Sequence, residues 1–207
     1  MVALPGVLRD ESDYEPTTRR FWKKILVHTR RQWYSEFSRD YVYGNADITR
    51  CYIELEDKSC SLRYFERLKQ IWNKKDVVII EGEKSRLGVG NDLFDNCNSI
   101  KRILCPSLDA FRVFDKVVSY IRNNISHDCL LLIALGPTAT VMAYEMDKNG
   151  YQAIDIGNID KEYEWCISNA QHKTVNPLKF TLEVKGGDEV VDCTDKSYLE
   201  SIIQNIN

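Results

Sequence analysis

The stretch VVIIEGEKSRLGVGND, residues 77–92, starts with four branched aliphatic residues and breaks into a polar loop with three glycines. A short apolar run bounded by turn signals reads as a strand buried on both faces. Ile103-Leu104, Leu130 to Leu135 and Ala153-Ile154-Asp155-Ile156 have the same character. Between the second and third runs lies SLDAFRVFDKVVSYIRNN, where Phe111, Phe114, Val117, Val118 and Ile121 fall at helical spacing and Ser107 or Asp109 offers a cap. Between the third and fourth lies GPTATVMAYEMDKNG, a short helix with Thr138 as its cap and Asn149-Gly150 as its stop. Strand and helix alternating at this spacing predict right-handed βαβ units, hence an α/β fold with a mostly parallel sheet.

Upstream of this stretch the pattern changes. From Pro16 to about Trp33, residues Trp22, Ile25, Leu26, Thr29 and Trp33 make one stripe, while Arg19, Arg20, Lys23, Lys24, Arg30 and Arg31 lie mostly elsewhere. This is an amphipathic helix with a solvated basic face. A second helix, Ser59 through Trp72, is expected to bury Leu62, Phe65, Leu68 and Trp72. At the other end, Thr194-Asp195 caps a helix running through Tyr198, Ile202 and Ile206. The chain divides into a helical, aromatic and basic part at 1–75 and a βαβ part at 76–207, within a single domain.

Composition narrows the function. Of 207 residues, 43% are hydrophobic and 29% charged, which excludes a disordered or fibrous chain. With 28 Lys and Arg against 31 Asp and Glu the net charge is -3, so no nucleic-acid partner is expected. The longest apolar run, Cys129 to Leu135, is far below the ~20 residues of a membrane span, so no membrane span is expected. MVALPGVLRDESDYEP has no cationic start and reaches Asp10 and Glu11 early, so it is not a secretory signal and a cytoplasmic location is expected. The 7 cysteines are scattered without a CxxC pair and read as reduced, packed thiols. His28, His127 and His172 lie far apart, and His127 reads as a turn residue before a strand.

Chemistry belongs at the C-terminal ends of parallel strands, where loops and helix N-termini converge. The first strand leads into Glu83, Lys84, Ser85, Arg86, Gly88, Gly90, Asn91 and Asp92. Glycine amides approach an anion closely, and Lys84 and Arg86 supply the charge a diphosphate needs. Neither GxxxxGK[ST] nor GxGxxG is present. The third strand leads into Gly136, Pro137, Thr138 and Thr140, a hydroxyl-bearing helix start fit for a phosphate or ribose. The fourth leads into Gly157 to Trp165, where a helix starting at Asp160 sets Asp160 and Glu164 on one face, near Asp155. Such carboxylates bind a divalent ion or act as a general base, whereas first-turn acids such as Glu162 and Glu164 also serve simply to complement the helix dipole.

These motifs carry a resemblance. VVIIEGEKSRLGVGNDLFDN (Val77 to Asn96) and LGPTATVMAYEMDKNGYQAIDIGNIDKEYEW (Leu135 to Trp165) closely resemble the bacterial GT-D fold glycosyltransferases, a family long catalogued as a domain of unknown function. LPGV, FWKK, RRQWY and TRCYIELEDKS extend the match through the first third. The resemblance implies a Rossmann-like fold with helices on both faces of the sheet. It implies transfer of a sugar, typically glucose, from a nucleoside diphosphate sugar such as UDP-glucose to a glycan or glycoprotein acceptor, with a divalent metal, Mn or Mg. The Lys84 to Asn91 loop would then neutralise the departing diphosphate, Gly136 to Thr140 would support the nucleotide, and Asp160 or Glu162 would act as the base.

The chain departs from the family pattern twice. The acidic D-x-E motif, usually within a phrase like FGDGE, lies upstream of this chain's start, so the chain reads as N-terminally truncated relative to the family and its metal ligands are unknown. Glu54-Leu-Glu56 and Glu81-Gly-Glu83 are the only comparable pairs. Asn158 replaces the histidine of a GHID motif and cannot titrate near neutral pH. Truncation would leave apolar sheet edge uncovered, with a homo-oligomer as one outcome. The competing expectation is a degenerate relative that binds a nucleotide or partner without catalysis.

Overall fold

In the computed structural model, which describes residues 1–207, the chain runs through β1 (Ala3–Leu4), α1 (Pro16–Glu36), β2 (Gly44–Asn45), α2 (Ser61–Lys69), β3 (Asp76–Gly82) and β4 (Ser99–Cys105). It continues through α3 (Phe114–Asn124), β5 (Leu130–Ala134), α4 (Pro137–Lys148), β6 (Gln152–Asp155), α5 (Ile159–Ile167), α6 (Lys196–Ser201) and β7 (Ile202–Asn205). β3, β4, β5, β6 and β7 form one parallel sheet in the order β6-β5-β3-β4-β7. The chain leaves β3 toward β4 and then returns to its other side at β5. The strand order therefore reverses between β3 and β5, the position at which open α/β sheets bind ligands beyond the C-terminal ends of their strands.

Strand alternation builds the two layers. Val77, Ile79, Leu130 and Leu132 face one way and pack with Phe65 and Leu68 of α2, with Trp72 just after it, and with Tyr163 and Trp165 of α5. Val78, Ile80, Leu131 and Ile133 face the other way, against Val117 and Ile121 of α3 and Met142 and Met146 of α4. Helices thus cover both faces of a mostly parallel, Rossmann-like α/β sheet. Cys51, Tyr52 and Ile53 join the first layer, so the segment after α1 shares the core of the sheet.

Several elements differ from the sequence reading. Leu62 and Phe111 are 56% and 57% exposed: Leu62 stands on the solvent side of α2, which buries Phe65 and Leu68 instead, and Phe111 falls in a 3-10 turn over Ala110–Val113 that precedes α3. The N-cap of α4 is Gly136, with no side-chain cap bond, and Thr138 is buried inside the first turn. Asp195 does cap α6 by accepting from the Tyr198 amide, but the expected helix stops at Ser201. Residues 202–205 become the edge strand β7, beside β4. Ala3–Leu4 finds a parallel partner within the chain, Gly44–Asn45. No helix is long and apolar enough to cross a membrane.

Candidate functional site

The crevice between β3 and β5 is bordered by the loop after β3, the head of α4 and the turn after β6. Gly136 has φ 54°, a left-handed conformation that costs glycine little, and no neighbour lies where its side chain would stand. The head of α4 is therefore open at Gly136 and has no acidic residue in its first turn to oppose an anion, while Pro137 carries no N–H and the Ala139 amide donates to the Gly136 carbonyl at 3.0 Å. Across the turn, the Thr140 hydroxyl donates to Asp155 Oδ2 at 2.7 Å and the Gly157 amide donates to Oδ1 at 3.0 Å. Both bonds orient the Asp155 carboxylate at the strand end while leaving it partly exposed.

The loop after β3 is anchored from below by a buried ion pair. Arg102 Nη1 donates to Glu81 Oε1 at 2.5 Å, its Nη2 to the Leu87 carbonyl at 2.8 Å, and the Leu87 amide to Glu81 Oε2 at 2.7 Å. Burial pushes the Glu81 carboxyl upward, against the pull of Arg102. From the side, Asp160 accepts from the Gly88 amide at 2.8 Å and from Asn91 Nδ2 at 2.9 Å. Its other oxygen takes Lys179 Nζ at 2.7 Å. Lys179 is fully buried and also pairs with Glu164 at 2.6 Å. Gly88 must remain glycine, since its φ is 79° and a Cβ would meet Phe94 at 2.7 Å.

The predicted residues therefore fall into two sets. Glu83, Lys84, Ser85, Gly90, Gly136, Pro137 and Thr140 are exposed or half-exposed and Lys84 forms no ion pair, although the Glu83 amide donates to the Cys105 carbonyl and the Lys84 amide to Ser107 Oγ, on the β4 side of β3. Arg86 is turned inward instead: Nη1 donates to the carbonyls of Leu178 at 2.8 Å and Val191 at 2.7 Å, tying down the 178–191 segment. Asp92 is held by Tyr163 at 2.5 Å and Lys69 at 2.9 Å, between α2 and α5. Asp160 and Glu162, the expected bases, are both buried. Glu162 Oε2 accepts from the amides of Tyr52 at 3.0 Å and Ile53 at 2.9 Å, while Oε1 has no partner. Burial pushes its pKa up to about 7, against the lowering effect of the Ile53 amide and Arg50. The carboxylate at the crevice is Asp155, which the sequence reading placed only nearby.

A divalent ion finds no side-chain cradle here. No three Asp, Glu, His or Cys side chains converge. Of the acidic pairs, Glu81 is committed to Arg102, and Glu54 to Arg50 at 3.4 Å and Lys173 at 3.0 Å. The residues present do not fit a metal centre.

Sequence reasoning missed Lys179, the Glu81–Arg102 pair, and the network joining Arg50, Lys173, Glu54 and Glu183. Each joins residues far apart in the chain, and none carries a local motif.

A family model described as glycosyltransferase GT-D fold matches residues 1–184. A probable glycosyl transferase of Streptococcus gordonii is 41% identical over 206 residues, covering 100% of this chain and 30% of its own length. The glycosyltransferase GlyD of Streptococcus pneumoniae serotype 4 is 39% identical, with 100% and 25% covered. The chain thus spans under a third of the curated relatives it matches. A solved structure described as a new glycosyltransferase from Streptococcus sanguinis superposes with TM-score 0.95 at 40% identity, covering 100% of this chain and 77% of that one. Another, described as the highly conserved domain of unknown function 1792 with a distinct glycosyltransferase fold, gives TM-score 0.93 at 39% identity, covering 100% and 74%.

Proposed function

The chain belongs to the GT-D fold glycosyltransferase family, and from that premise we propose that it binds a nucleoside diphosphate sugar at the β3/β5 crevice and transfers the sugar to a glycan or glycoprotein. UDP-glucose is the donor proposed. The observation that carries this reading is the open head of α4 at the strand-order reversal, with the oriented Asp155 beside it and the unpaired Lys84 exposed in the loop after β3. Amides and dipole of α4, with Lys84, hold the diphosphate and stabilise the charge it gains on leaving. Asp155 takes the proton of the acceptor hydroxyl as its oxygen bonds to the anomeric carbon. The bond from that carbon to the diphosphate oxygen breaks, and the electron pair leaves with the diphosphate. Asp160, Glu162 and Arg86 are positioning residues in this scheme, since each holds backbone rather than facing the crevice.

Titration of UDP by calorimetry, with and without manganese, and assay of UDP-glucose turnover test the proposal. Lys84→Ala is expected to weaken UDP binding about 10-fold. Asp155→Asn is expected to keep UDP binding and lower turnover about 10²- to 10⁴-fold. Failure to bind UDP in either condition overturns the reading. UDP binding without turnover marks a non-catalytic relative, and binding strengthened by manganese assigns the ion to the bound diphosphate.

A further inference from the structure

A cleft of about 640 Å³ opens between α1 and the segment from Gln171 to Glu183, and none of its lining residues belongs to the nucleotide crevice. That volume is in the range of small-ligand sites. Its two sides differ in chemistry. One is aromatic: Phe21 is 58% exposed, and Trp22 stands edge-on to it, with ring centroids 5.8 Å apart at 74°. The other is a lattice of four charges. Glu183 takes Arg50 at 2.7 Å and Lys173 at 2.7 Å, and Glu54 takes Lys173 at 3.0 Å and Arg50 at 3.4 Å.

Three properties select the ligand. Arg50 and Lys173 are already paired with Glu54 and Glu183, and Glu15 and Asp47 also line the cleft, so its excess of carboxylates disfavours an anion and offers acceptors to hydroxyl groups. Its side chains keep 19–31% exposure, so lone pairs and N–H groups remain available while their positions are fixed. Aromatic faces carry negative charge that favours the polarised C–H groups of an apolar ring face. A neutral ring with C–H bonds on one face and hydroxyls at its rim satisfies both sides at once.

The cleft is also mechanically joined to the crevice. Asn158, at the head of α5, donates its amide nitrogen to Glu183. Two residues earlier than Gly157 stands Asp155, and Gly157 itself packs so that a Cβ would meet Thr49 Oγ1 at 3.3 Å, next to Arg50. One turn therefore carries the carboxylate on one side and the charged lattice on the other.

We infer that this cleft is the acceptor subsite, holding the neutral saccharide to which the sugar is added. The inference rests on the transferase reading above and gives the cleft its place beside Asp155. Phe21 and Trp22 would stack on the ring, and Arg50, Glu54, Lys173 and Glu183 would bond its hydroxyls.

The test uses the full chain labelled with 5-fluorotryptophan, the Trp22 signal being assigned with Trp22→Phe. Glucose and N-acetylglucosamine are titrated to about 50 mM, suiting millimolar affinity, with and without saturating UDP. A shift of the Trp22 signal with either sugar, weakened about 10-fold in Phe21→Ala with UDP affinity unchanged, is the expected result. Phe21 is exposed, so this variant is expected to fold. Absence of a sugar-dependent shift overturns the inference, as does a shift caused by inorganic phosphate but not by sugar. A sugar response in a chain that fails to bind UDP leaves the cleft standing and overturns the donor reading alone.

Discussion

The central strands and helix α1 show opposite relations between length and burial. In β3, six of seven residues are buried, whereas the 21-residue α1 buries only Thr18 and Leu26. A strand between two helical layers loses water from both faces, while a helix on the flank loses it from one stripe. Stability is thus concentrated in the sheet, and α1 is left with surface to spend on binding.

The comparison breaks most readily at the buried charge pair. Arg102→Ala leaves Glu81 unpaired at 0% exposure and is expected to cost about 3–5 kcal/mol in urea denaturation. Arg20→Ala on the outer face of α1 is expected to change stability by less than about 0.5 kcal/mol. Next in size, Ile79→Ala should cost about 3–4 kcal/mol by removing a fully buried side chain from the sheet. Leu26→Ala, in the small cluster it forms with Val7 and Tyr14, should cost less, about 2 kcal/mol. Equal losses would show that α1 is as integral as β3.

Two carboxylates outside both regions give opposite pH signatures. Burial raises the Glu183 pKa, but bonds and charges from Arg50 and Lys173 outweigh it and hold it at about 2. Its stabilising contribution is complete above the ordinary 4.5 and is lost as pH falls toward about 2. Glu183→Gln should remove that acid-side loss and cost about 2 kcal/mol at neutral pH. Glu162, raised to about 7, behaves in reverse. Its native state holds the proton more tightly, so stability is greatest below about 4.5 and declines as pH rises to about 7. Glu162→Gln should flatten that decline, gaining about 1–2 kcal/mol at pH 8 in melts followed by circular dichroism. A decline that persists in the variant assigns it to another group.

Local chemistry made much of the fold legible. The branched aliphatic runs at 77–80 and 130–135, the stop at Asn149-Gly150 and the cap at Asp195 are short-range signals, and each lies where its physics places it. The tail was harder. Ile202 to Asn205 suits either a helix or a strand, and only the free edge of β4 beside it selects the strand. Leu62 was misplaced because a stripe at helical spacing does not say what covers it.

The site divides in the same way. Sequence alone determined that glycine-rich, charged loops follow buried strands, because backbone freedom and β-propensity are properties of single residues and their neighbours. Which of those charges face a ligand was decided by tertiary structure. Lys179, 19 residues beyond Asp160 in sequence, is driven into the interior with it, and the pair turns an expected base into a clamp on Gly88 and Asn91. Arg86 likewise finds the carbonyls of Leu178 and Val191 before any phosphate. A buried charge must meet its partner inside the fold, and that partner's place in the sequence follows no local rule.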